Sequence, residues 1–306
     1  IDMYAGRLRN QVRPCMAGPT VLTTSHMSHL RRALDAYGLP LELKYLPIIE
    51  SALNPSRVLR AGACGLWQFM LATGKIYGLE SNSLVDERRD PIKATWAAAR
   101  YLKDMYDIYK DWNLVIAAYN CGPGTINKAI RRSGGKTDYW EIYNYLPKET
   151  RGYVPAFIAA NYVMTYYCKH NICPMETDIP EATDTVQVSR NLHFEQISDL
   201  CGISLDQIKS LNPQFKKSII PGESKPQTLR LPSTTSVPSL TSKTPSMPTA
   251  VTSCSRTAES WPFPIHARRH VAAKAVPLRG MSPTTRYAVA RISAALHGNT
   301  VSLSIS

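Results

Sequence analysis

Residues 90–109 read DPIKATWAAARYLKDMYDIY, and this stretch decides the fold class. Asp90 is a helix-capping residue type, and Pro91 suits a first turn, where its missing N–H costs nothing. Behind them Ile92, Thr95, Trp96, Ala99, Leu102, Met105 and Tyr106 recur at steps of three and four, the period of one helix face. The same signals repeat on both sides. Upstream, LRRALDAYGLPLELKYLPIIE (30–50) reads as a helix to Tyr37, a stop at Gly38, a restart at Pro40 and a second helix entering Glu50. Downstream, WNLVIAAYN (112–120) is nearly all apolar, which predicts burial on every side, and it stops at Cys121-Gly122-Pro123-Gly124. GTINKAIRRS (124–133) starts another helix, and GYVPAFIAANYVMTYYCKH (152–170) is long with a broad apolar face. Residues 32–173 are therefore expected to form an α-helical domain, and the fold class is mainly α.

From Asp184 to Pro232 the period changes. TVQVS alternates like a strand, HFEQISDLCG and LDQIKSLNPQF are two short helices, and QTLRLP is a second strand. A β-α-α-β module over 184–232 is expected, separate from the helical domain and joined by a linker at 174–183. Residues 233–306 are rich in Ser, Thr and Pro with little periodicity and read as a disordered tail.

Net charge is +13, and from Ser233 onward eight Lys/Arg face the single acid Glu259, so +7 of it lies in the tail. The remaining +6 is modest and suits a polyanionic partner, cell wall or nucleic acid. The tail has little aromatic interleaving and no recognised motif, so a nucleic-acid partner is not expected. The seven cysteines are odd in number and irregularly spaced, without CxxC or a paired His; a disulfide framework or zinc site is not expected, and most read as small buried residues. No run of about 18 apolar residues reads as a membrane span. The chain opens on Ile1 with no basic-then-apolar leader, so a processed or truncated start is expected and the compartment is not read from it. Residues 13–31, RPCMAGPTVLTTSHMSHLR, lack helical period. Codons for Tyr-Tyr-Phe-Pro read one base late can encode the Thr-Thr-Ser-His of positions 23–26, so a reading-frame slip is expected in the irregular segment 1–31, and another in the acid-poor tail; a clean frame in the source DNA would remove both. Such a slip would cost the domain a packing helix.

Four glycine- or proline-flanked polar clusters stand out within the helical region. They are Glu50-Ser51-Ala52-Leu53-Asn54-Pro55, then Gly62 to Met70 (GACGLWQFM), then Ala117 to Gly124 (AAYNCGPG), and Glu149 to Pro155 (ETRGYVP). Glu50 ends an apolar run, Leu46-Pro47-Ile48-Ile49, and an apolar pocket is what raises a carboxyl pKa for general acid work. Ordinary glycosidases pair two carboxylates. The nearest other acids are Glu42, Glu80 and the DERRD run at 86–90, and none has a comparable apolar, glycine-flanked setting.

In that order and spacing the four clusters resemble the lytic transglycosylases of the goose-lysozyme-like group, most closely the membrane-bound D type, over roughly residues 32–173. The 184–232 module, with FEQISDLCGISLDQIKSLNP, looks like a LysM domain, a family that binds N-acetylglucosamine-containing glycans. The resemblance implies a lysozyme-like helical domain that cleaves the MurNAc–GlcNAc β-1,4 bond of peptidoglycan and leaves 1,6-anhydro ends. It implies Glu50 as sole acid and base, with no cofactor or metal. By motif position Ser51 would contact substrate near the scissile bond. Gln68 and the backbone of Phe69 and Met70 would line the cleft, Tyr119 and Asn120 would hold the sugar, and Tyr153 would hydrogen-bond Glu50. Cysteine at 64 and 121 stands where family members often carry Ala or Val, and Ala, respectively; it is small enough to substitute quietly. Peptidoglycan strands are then the expected partner, and the cell envelope the compartment, with membrane association through an N-terminal anchor. The rivals are a hydrolytic muramidase and an inactive peptidoglycan-binding protein.

Overall fold

The computed structural model describes residues 24–170, 183–233 and 251–253. Helix α1 (Thr24–Ala36) is followed by a 3-10 turn (Leu41–Tyr45), α2 (Leu46–Ser51), α3 (Leu71–Ile76), and a 3-10 turn at Glu87–Arg89. Then come α4 (Pro91–Tyr109), α5 (Trp112–Cys121), α6 (Pro123–Arg132), α7 (Tyr139–Ile142) and α8 (Lys148–Thr165). No described helix is long and apolar enough to cross a membrane.

Local chemistry sets these boundaries. The Asp90 carboxylate accepts from the Ile92 and Lys93 amides at 2.9 and 3.0 Å, and Asp111 accepts from Leu114 at 2.7 Å, so α4 and α5 each begin on a capping aspartate. Helix α5 ends at Gly122, whose φ of 81° most residues avoid. It is the hub: Leu114, Val115, Ile116, Ala117 and Ala118 are all fully buried, and α4, α6 and α8 pack around it. Trp67 and Trp112 belong to the same core.

Two expectations need correction. Residues 24–31 are not irregular: they open α1, which buries Leu30, Ala33 and Leu34 against α4. Met27, Leu30 and Leu34 fall at helical spacing, and the polar residues between them masked that period. The packing helix is therefore present; residues 1–23, the rest of the suspect segment, lie outside the described residues.

The second correction concerns the module. Strands β1 (Thr183–Val188) and β4 (Gln227–Pro232) pair antiparallel around helices α9 (Phe194–Cys201) and α10 (Leu205–Leu211), as the alternation predicts. Two short strands were not foreseen, β2 (Asn191–His193) and β3 (Ile219–Pro221), which pair with each other. Nor was β5 (Val251–Ser253), which pairs with β1 from within the segment read as disordered tail. Three-residue strands carry too little alternation to be seen in sequence. The module is also not separate: residues 80–90 of the helical domain lie against it. Of the expected linker 174–183, Thr183 opens β1 and residues 174–182 lie outside the described residues, as does the remainder of the tail.

Candidate active site

Glu50 is the penultimate residue of α2, just before Ala52 and Leu53, both left-handed at φ 54° and 62°. Non-glycine residues avoid that region, and such strain collects at functional sites. Helix α8 supplies Tyr153, 103 residues away, whose hydroxyl donates to a Glu50 carboxyl oxygen as the resemblance implies. Glu50 keeps a partly exposed surface, as a group reached by substrate must, yet the protein around it pushes its pKa up to about 7. Burial is the main cause, and the Glu149 carboxylate adds to it; the Tyr153 hydrogen bond and the Arg57 charge pull the other way. Burial and the Glu50 carboxyl together raise the Tyr153 and Tyr119 hydroxyls well above the ordinary tyrosine range, so both are neutral donors.

The second cluster forms a tight loop. Short backbone bridges link Val58 to Cys64 and Cys64 to Phe69. At its bend Gly65 has φ 85°, and a Cβ there would lie 1.8 Å from the Arg88 carbonyl oxygen; only glycine fits. Gln68 is buried with a strained φ of 50°. Its amide nitrogen donates to the Gly65 carbonyl at 2.6 Å, while Oε1 is buried and has no partner among the described residues. A buried acceptor left open on a strained residue marks a place where a ligand donor is useful. Phe69 is buried and its carbonyl accepts from Arg88 at 3.0 Å, whereas Met70 is exposed.

From α5, the Tyr119 hydroxyl donates to the Trp67 carbonyl at 2.7 Å, tying the third cluster to the second. Asn120 Oδ1 accepts from the Thr150 hydroxyl at 2.9 Å, which leaves the Asn120 NH2 as the free end of the amide among the described residues. Glu50, Tyr119 and Tyr153 thus converge, and Asn120, next to Tyr119 on α5, is tied to α8 by the Thr150 hydroxyl.

Ser51 is different. It is fully buried and its hydroxyl, 2.8 Å from the Leu66 carbonyl and 3.1 Å from that of Pro47, fastens the first cluster to the second. The substrate contact expected of it has no exposed atom to be made through. Sequence reading also missed Thr150, Arg57 and Glu149. Thr150 lay inside a quoted cluster, but its partner is 30 residues off. Glu149 is 99 positions from Glu50 in sequence and becomes its neighbour only in the fold. Of the described cysteines Cys64 is buried, while Cys121 and Cys201 are only partly so.

Residues 29–142 match the transglycosylase SLT domain, and residues 182–247 match the LysM-like domain of lytic transglycosylase MltD. Membrane-bound lytic murein transglycosylase D of Escherichia coli K12 is 35% identical over 217 residues, 70% of this chain and 47% of that protein. The soluble lytic murein transglycosylase of the same strain is 31% identical over 39% of this chain and 19% of its own length. The chain spans about half the length of the first of these relatives. Among solved structures, the 70 kDa soluble lytic transglycosylase of E. coli superposes with a TM-score of 0.40 and 27% identity, over 46% of this chain and 24% of that one. Residues 29–142 thus carry a transglycosylase SLT domain, and residues 182–247 an MltD LysM-like domain.

Proposed function

We propose that the protein is a peptidoglycan lytic transglycosylase that cleaves the MurNAc–GlcNAc β-1,4 bond with Glu50 as both acid and base. The observation that carries this reading is the partly exposed Glu50 carboxyl with a pKa of about 7, held by Tyr153. Near neutral pH such a group is about half protonated, so it can give a proton and take one back. Protonated Glu50 gives its proton to the glycosidic oxygen as the bond to C1 breaks. The acetamido oxygen of the same MurNAc closes on C1 and carries the positive charge. The Glu50 carboxylate then removes the proton of the C6 hydroxyl, O6 attacks C1, and the acetamido oxygen leaves. No water is consumed, the product is a 1,6-anhydro end, and Glu50 is again protonated.

The Asn120 NH2 is suited to donate to the sugar, and Tyr119 to wall it. The relatives' names place those proteins on murein, which supports a cell-envelope site of action here. One observation favours a hydrolytic alternative: the Glu149 carboxylate lies near enough to raise the pKa of Glu50, and a second acid could activate water. Mass spectrometry of products released from sacculi separates the two. Products one water lighter than ordinary muropeptides, lost with Glu50→Gln, support the transglycosylase; full-mass reducing ends mean a hydrolase.

A further inference from the structure

One strip of the helical domain, residues 80–90, is held from both sides. On one side is the strand-bearing module. Val85 is 1% exposed and belongs to the module's apolar core, with Phe194, Ile208, Phe215 and Ile220. Its backbone bridges Phe215 antiparallel. The Lys216 amide donates to the Leu84 carbonyl at 2.8 Å and the Asp86 amide to the Gln214 carbonyl at 2.9 Å. From β4, Arg230 Nη2 lies 3.0 Å from both oxygens of Asp90, the aspartate that caps α4. Both side chains of that pair are nearly inaccessible, at 11% and 3% exposure.

On the other side is the loop that carries Gln68, Phe69 and Met70. Asp86 grips the Arg88 guanidinium at 3.0 and 2.8 Å. Arg88 Nη1 in turn donates to the Gly62 and Phe69 carbonyls at 2.9 and 3.0 Å. The Arg88 carbonyl presses into the space that Gly65 leaves open.

A tether on a free linker would leave Val85 as an exposed apolar residue and Asp90–Arg230 as a weak surface pair. Neither is the case. We propose that the module is a structural brace of the helical domain, which fixes the 80–90 strip and, through Asp86 and Arg88, the loop bearing Gln68, Phe69 and Met70. The inference does not rest on the catalytic reading, and its test does not measure catalysis.

Trp67, Trp96, Trp112 and Trp140 lie in the helical domain and residues 183–233 have no tryptophan. In the full chain with Trp261→Phe, tryptophan emission therefore reports the helical domain alone. Ile208→Ala and, separately, Phe194→Ala damage only the module core. The brace predicts that each lowers the tryptophan-reported melting midpoint by roughly 5–15 °C, together with the far-UV circular dichroism transition. If a variant module is already unfolded at room temperature, the tryptophan spectrum should shift with it. A tryptophan midpoint within about 1 °C of the parent, beside a separate low-temperature dichroism transition, would overturn the proposal. Its second half is read by hydrogen exchange: Arg230→Met should speed exchange of the Gly65 and Gln68 amides at least about tenfold. Unchanged exchange at those amides would mean that the loop does not depend on the module.

Discussion

Replacing Glu50 by glutamine should stabilise this protein, and by an amount that depends on pH. The carboxyl is displaced from an ordinary 4.5 to about 7 by burial. Between those values the native state holds a proton that the unfolded chain has released. The unfolded state thus binds fewer protons, and the contribution of this group to stability falls as pH rises through the window. The fall is about 1.4 kcal/mol for each pH unit, or about 3 kcal/mol by pH 8. Glutamine accepts from Tyr153 much as the carboxyl does and carries no charge, so it lacks this slope. Urea or thermal unfolding of both proteins, followed by tryptophan emission, gives the difference directly, and every other titrating group cancels in it. The margin of Glu50→Gln over the parent should widen by about 3 kcal/mol between pH 4 and pH 8, roughly 6–12 °C in the melting midpoint. A margin that stays constant over that range would refute a pKa raised by the fold, and with it the main support for Glu50 as the acid.

Three further outcomes follow from single contacts. Tyr153→Phe removes the hydrogen bond that favours the charged carboxylate, so the alkaline limb of activity on sacculi should move up from near pH 7 by about one unit or more, with lower kcat; a downward shift contradicts the assignment. Gly65→Ala places a Cβ against the Arg88 carbonyl and in an unfavourable φ, so the variant should melt more than about 10 °C lower or fail to give native tryptophan emission. Thr150→Val frees the Asn120 amide and should raise KM about fivefold, while Thr150→Ser, which keeps the hydroxyl, should restore it in the same steady-state assay.

The segment 90–109 also shows how far sequence reaches. Asp90, Pro91 and the three-four spacing of apolar residues specify α4 by interactions within one or two turns, and those are written in neighbouring letters. By the same local means the ends of α5, the two module helices and the β1 and β4 segments could be read, and the resemblance carried by four short clusters singled out Glu50, Gln68, Tyr119, Asn120 and Tyr153 as candidates. What Asp90 does besides capping could not be read, because its second partner, Arg230, is 140 positions away and its ion pair exists only once both domains have folded. Ser51 gives the same lesson at shorter range: its motif position implied a substrate contact, and packing turned its hydroxyl inward onto Leu66.

Sequence by itself thus determined the longer helices, the β1 and β4 strands and which residue types gather in the clusters, since capping, turn chemistry and periodicity act between near neighbours. Tertiary structure alone decided the protonation of Glu50, the burial of Ser51, the fixing of Asn120 by Thr150 and the hold of the module on residues 80–90. Each of these depends on desolvation or on a hydrogen bond between distant parts of the chain, and neither exists until the chain has closed on itself.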